Sequence, residues 1–83
     1  MPKYNKKKLD LIDEKLIKLP DDIDKYTNLK QLDCRDNKIT SLDNLPPKLT
    51  LLHCIFNPFK YDFEPTLENI RNYNASRILS SNT

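Results

Sequence analysis

The sequence predicts an α/β repeat solenoid: about three similar units, a short parallel sheet, and a C-terminal helix closing the stack. Three observations predict it. The segments Leu29-Lys-Gln-Leu32-Asp-Cys34-Arg-Asp-Asn37-Lys-Ile39 and Leu49-Thr-Leu-Leu52-His-Cys54-Ile-Phe-Asn57-Pro-Phe59 carry Leu, Leu, Cys, Asn and an apolar residue at equal offsets, 20 residues apart. A looser copy, Leu9-Asp-Leu11-Ile-Asp-Glu14-Lys-Leu16, precedes the first of these by 23 residues. After Pro65, the residues Leu67, Ile70 and Tyr73 recur at helical spacing. Three units are about the minimum for a stable stack.

Each unit opens with a strand, expected over Lys8–Ile12, Gln31–Arg35 and Leu51–Ile55. Side chains alternate along a strand, which turns Leu9, Leu11, Leu32, Cys34, Leu52 and Cys54 inward. The chain then turns at Glu14, Asn37 and Asn57, where an asparagine amide can both donate and accept hydrogen bonds to backbone. Glu14 lacks the amide donor and sits in the first unit, which has no neighbour before it. The return arcs carry Leu19-Pro20 and Leu45-Pro46-Pro47, and the first arc holds the three additional residues. Insertions within repeats belong in such connections. The chain contains no glycine, so its turns rely on Asn, Asp and Pro.

The spacing L-x-x-L-x-L/C-x-x-N-x-L resembles the leucine-rich repeat. The resemblance covers Leu9 to Phe59 and implies units at about 6–28, 29–48 and 49–60, a cap over 61–79, and one domain over 1–83. Asn57-Pro58-Phe59-Lys60-Tyr61-Asp62-Phe63 is similar to the opening of the C-terminal cap of secreted leucine-rich repeat proteins, N-P-W/F-x-C-D-C. Tyr61 and Phe63 stand where that cap has cysteines, leaving two aromatics to cover the end without a disulfide. Pro65 and Glu68 give the following segment the composition of a helix start over Pro65–Tyr73, and Ile78 extends its apolar face. The tail Ser80–Thr83 is expected to fray. The lysine- and asparagine-rich style, the strand cysteines and the P-P-x-L arc are similar to leucine-rich repeat proteins of giant DNA viruses of amoebae.

Composition narrows the function classes. With 37 % hydrophobic and 31 % charged residues, the chain reads as a globular protein, and no apolar run reaches the roughly 18 residues of a membrane span. The basic start Lys3-Tyr4-Asn5-Lys6-Lys7-Lys8 is followed by Asp10, Asp13 and Glu14, so it lacks the apolar core of a secretory signal. Two cysteines at one repeated position are a poor disulfide framework and read as small core thiols. The expected compartment is intracellular: cytoplasmic, or host cytoplasm or virion if viral. Nucleic acid is disfavoured, because the net charge is only +2 and the lysine cluster contains no arginine. Those lysines read instead as protection of an edge strand.

No serine–histidine–acid set, metal-ligand spacing or glycine-rich phosphate loop is present, so no enzyme, metal or cofactor is expected. The resemblance implies a partner protein on the concave strand face. The residues facing outward there include Asp10, Ile12, Gln31, Asp33, Arg35, His53, Ile55 and Phe56. Asp10, Asp33 and His53 align across the strands, which places Asp33 within reach of His53. Leu51, Ile55 and Phe56 are either an exposed interface or core covered by the C-terminal segment. The leading expectation is a protein–protein interaction module. Self-association into a homo-oligomer, and weak nucleic-acid binding through Lys3–Lys8, are the alternatives.

Overall fold

The computed structural model describes residues 3–81, with side chains described through residue 77. Its elements run in order: a 3-10 turn at Lys3–Asn5, β1 at Lys8–Asp10, a second 3-10 turn at Ile23–Lys25, β2 at Gln31–Asp33, β3 at Leu51–His53, and α1 at Leu67–Ser81. The three strands form one parallel sheet in the order β1-β2-β3. Lys8, Gln31 and Leu51 are partners across it, as are Leu9, Leu32 and Leu52, and Asp10, Asp33 and His53. Residues matched by spacing in the sequence are therefore neighbours in the sheet.

The strands are shorter than the five residues expected, ending at Asp10, Asp33 and His53. Backbone hydrogen bonds continue past them, from Leu11 N–H to Asp33 O at 2.7 Å and from Cys34 N–H to His53 O at 2.8 Å. The strands stop because the chain bends sharply at Asp13, Asp36 and Phe56, which occupy one matched position and have φ of 53°, 59° and 62°. Ile12, Arg35 and Ile55 thus stand on the shoulder of this bend.

Leu9, Leu32, Cys34 and Cys54 are buried as alternation requires, and Leu11 and Leu52 are half-buried. The arcs supply the rest of the core through Leu19, Ile23, Tyr26, Leu29, Ile39, Leu42 and Leu49. The longer first arc contains the 3-10 turn at Ile23–Lys25, whose Ile23 is buried and which is followed by the buried Tyr26.

The bends are held by two asparagine side chains. The Asn37 amide donates to the carbonyls of Leu11, Cys34 and Arg35 at 2.8, 3.0 and 3.1 Å. Its Oδ1 accepts the N–H groups of Glu14 and Leu16, both at 3.0 Å. Asn57 repeats the pattern one unit on, donating to Cys34, Cys54 and Ile55 and accepting from Ile39. Each asparagine thus ties its own bend to the one before. Glu14 stands on β1's bend, with no bend ahead of it, so the first unit needs no amide there.

Both ends are sealed by aromatic residues. At the start, the Tyr4 hydroxyl donates to Asp22 at 2.7 Å, Lys3 pairs with the same carboxylate at 3.2 Å, and Tyr4 meets Tyr26 edge-on at 5.1 Å. The Tyr4 hydroxyl and Lys3 together hold the Asp22 carboxyl below its ordinary range. At the other end, Phe59, Tyr61 and Phe63 stack in succession, and Tyr73 of α1 closes on Tyr61 and Phe63. The Tyr61 hydroxyl accepts the Leu42 N–H at 2.8 Å. Thr66 Oγ1 caps α1 by accepting the Asn69 N–H, and Ile70 is fully buried. Arg71 and Asn74 donate to the carbonyls of Pro46 and Leu42, clamping the helix onto the second arc.

The helix is longer than Pro65–Tyr73 and runs through Ser81. The apolar contribution assigned to Ile78, and the last two residues of the tail, lie outside what is described.

Replacing Asn37 by aspartate removes three donated hydrogen bonds and sets a carboxylate against three carbonyl oxygens. Each buried polar group left unpaired costs about 1–3 kcal/mol, and an 83-residue domain has only roughly 4–12 kcal/mol in total. Asn37→Asp is expected to lose at least about 3 kcal/mol in urea titrations monitored by circular dichroism. Asn57→Asp should lose less, because that residue is partly exposed.

Burial pushes the Cys34 thiol up to about 12 and also raises the Cys54 thiol and the Tyr61 phenol. A pKa raised on folding contributes stability that is complete below the unfolded value and is lost as pH climbs through the folded one. The domain should therefore weaken steadily above about pH 8.5, where an unfolded cysteine ionises. Denaturation midpoints across alkaline pH should show this slope, and Cys34→Ala should flatten it from a lower starting stability.

Candidate functional site

The outward strand face is a grid built by the register. Lys8, Gln31 and Leu51 form one row, and Asp10, Asp33 and His53 the next. Ile12, Arg35 and Ile55 follow on the shoulder. In the first two units this face is charged or mixed. The third is different: Leu51, Ile55 and Phe56 are all exposed, Ile55 by 59 % and Phe56 by 71 %. The C-terminal segment covers the end of the core and leaves these three uncovered. Asp10 and His53 are also exposed, whereas Ile12, Gln31, Asp33 and Arg35 are half-buried.

Charge falls across the sheet in the same direction. Over matched windows, residues 6–14 hold six charged side chains, residues 29–37 hold four, and residues 49–57 hold none. In a chain with 31 % charged residues, an exposed strand without charge is a marked departure. Exposed apolar clusters of this kind commonly mark contact surfaces.

At the centre of the face Arg35 grips Asp33. Its Nε donates to Oδ1 at 2.9 Å and its Nη2 to Oδ2 at 2.8 Å, a two-point pairing. The Arg35 N–H also approaches Oδ1 at 3.3 Å, as the Ile12 N–H does to Asp10 Oδ1 at 3.0 Å. The guanidinium holds the Asp33 carboxyl below the usual carboxylate range. Asp33 is therefore committed to Arg35, and the alignment with His53 gives adjacency without a hydrogen bond. The pair also orients Arg35 beside Ile55, so that a flat cation borders the apolar patch. An arginine already held in place loses less freedom on binding than a free one.

Phe56 is the residue whose importance lies in its backbone. It shares the left-handed bend with Asp13 and Asp36, and aspartate tolerates that region better than a bulky aromatic does. A non-glycine residue there costs about 1–2 kcal/mol, and this ring recovers little by burial. The spacing carried a signal for this: Phe56 occupies the position before the turn asparagine in a chain that has no glycine to place there. Lys30, whose carbonyl accepts the Leu51 N–H across the sheet, and Lys48, three residues before Leu51 in the chain, lie off the grid and escape a reading based on strand alternation.

Among the described residues, no group of three His, Cys, Asp or Glu is arranged to hold a metal ion. No described helix is long and apolar enough to cross a membrane. Comparisons with protein-family models, curated proteins and solved structures return no match for this chain.

If Phe56 is kept for recognition, substitutions suited to its backbone should improve folding. Phe56→Gly and Phe56→Asn are each expected to raise stability by about 0.5–1 kcal/mol, the relieved strain minus the small packing energy of the ring. Thermal melts beside the parent protein check this. A decrease in stability of similar size would mark the ring as a packing element.

Proposed function

We propose that the chain is a short leucine-rich repeat solenoid that acts as a protein–protein interaction module, with Arg35, His53, Ile55 and Phe56 as its anchors. The single observation that carries this reading is the exposed Phe56, held in a strained backbone state beside exposed Ile55 and Leu51. Strain and apolar exposure both work against the isolated domain, and such features concentrate at functional positions. Large aromatic and arginine side chains dominate the binding energy of contact patches. The repeat assignment is supported by the matched spacing, the shared bend and the two asparagine bridges. The reading includes no catalysis, and the raised Cys34 thiol is a poor nucleophile at neutral pH.

A face of nine grid positions is small, below about 1,200 Å² in total interface, so affinity should be modest unless several copies act together. Proximity labelling with the parent protein and a Phe56→Asp/Arg35→Glu variant tests the reading. Loss of specific partners from the variant, with both proteins folded at the assay temperature, is the expected result. Identical partner sets from two folded proteins would sink it.

Self-association is the second reading, favoured by the charge-free stretch 49–57, which itself offers no repulsion between copies. Light scattering over a concentration series separates the two. A dimer that resists dilution supports self-association.

A further inference from the structure

The apolar patch of β3 has a charged border on one side, in which lysines outnumber carboxylates. The Lys30 and Gln31 N–H groups bond the Lys7 carbonyl, and the Thr50 and Leu51 N–H groups bond the Lys30 carbonyl. Lys7, Lys30 and Thr50 therefore lie in register where the strands begin, with Leu51 next to them. Lys8 shares a row with Leu51, and Lys48 precedes Thr50 by two residues. All four lysines are exposed, and none stands in an ion pair with a described residue. Lys3, by contrast, is engaged by Asp22.

Beyond Thr50, Arg71 and Glu68 line a shallow cleft against Leu67 and Asn72. Glu68 and, at the far end of the patch, Asp36 are the carboxylates that temper this border; the Asp36 N–H bonds the Ile55 carbonyl.

We infer that the partner is an acidic protein segment with an apolar anchor: its hydrophobic side chains sit on Leu51, Ile55 and Phe56, and its carboxylates reach Lys7, Lys30 and Lys48. This names the partner class for the site proposed above and rests on that reading. Charge complementarity selects acid, because the free cations gather along the strand starts while the patch itself is neutral. The apolar row selects protein over a nucleic acid strand. Stacking of successive bases needs several aromatic faces beside the cations; Phe56 is a single exposed ring on this patch, and Tyr4, the aromatic nearest the lysines in sequence, is turned onto Tyr26.

Peptide display against the full chain tests the inference, with random peptides as the probe. The selected peptides should carry net negative charge together with Leu, Ile, Phe or Trp. Their affinity should fall by roughly tenfold in a Lys7→Gln/Lys30→Gln/Lys48→Gln variant, the sum expected of three exposed charge contacts. It should also fall with added salt, which screens such contacts. All three lysines are exposed, so the variant should keep the parent melting curve.

Failure to select any peptide, selection of neutral or basic peptides, or indifference to the lysine changes would overturn the acidic assignment. Neutral peptides that still require Ile55 and Phe56 would leave the strand-face reading standing. Peptides indifferent to Ile55→Asp and Phe56→Asp would remove both. Tighter lysine-dependent binding of an oligothymidylate than of any peptide would assign the border to nucleic acid instead.

Discussion

A sharp bend three times over creates buried backbone groups that no strand or helix can satisfy, and two asparagine side chains meet that demand. The Asn37 carboxamide reaches three carbonyls and two N–H groups across two neighbouring bends. An unsatisfied buried peptide group costs far more than a satisfied one gains, so these amides act as conditions for the bends to exist. The register of the sheet follows from the same bridges, because each asparagine links matched positions. Side-chain alternation then decides which residues enter the core and which form the face.

The two ends of the sheet present the opposite problem, since an outermost unit has no neighbour to cover it. The N-terminal end uses Tyr4, Asp22 and Tyr26, joining a hydroxyl–carboxylate bond to an aromatic contact. The C-terminal end uses a run of stacked rings and a helix fastened by Arg71 and Asn74. These caps cover the core and leave the strand face open. Covering the core required nearly all the aromatic side chains of the chain. Phe56, outside every described ring pair, stands apart.

The gradient from six charged side chains over residues 6–14 to none over residues 49–57 gives the face its direction. The charged strand at β1 discourages further strand pairing, as lysine-rich edges do. The neutral strand at β3 has no such protection and leaves Leu51 exposed. The exposed lysines where the strands begin lie beside this apolar patch.

Much of this was legible in the residues themselves. The offsets of Leu32, Cys34 and Asn37, and of Leu52, Cys54 and Asn57, set the register and the inward positions, because strand alternation and amide chemistry leave little freedom. The Tyr61 and Phe63 substitutions pointed to an aromatic cap for the same reason. Other features depended on contacts distant in sequence. Whether Leu51, Ile55 and Phe56 were covered turned on where the C-terminal segment docks, which Arg71, Asn74 and Tyr61 decide by reaching back to the second arc. Strand alignment placed Asp33 within reach of His53, but the two-point geometry of the guanidinium commits it to Arg35. The strain at Phe56 is a property of backbone angles, which adjacent bridges impose and no residue type announces. Periodicity determined the frame from the sequence alone; packing of distant segments decided which parts of that frame face solvent.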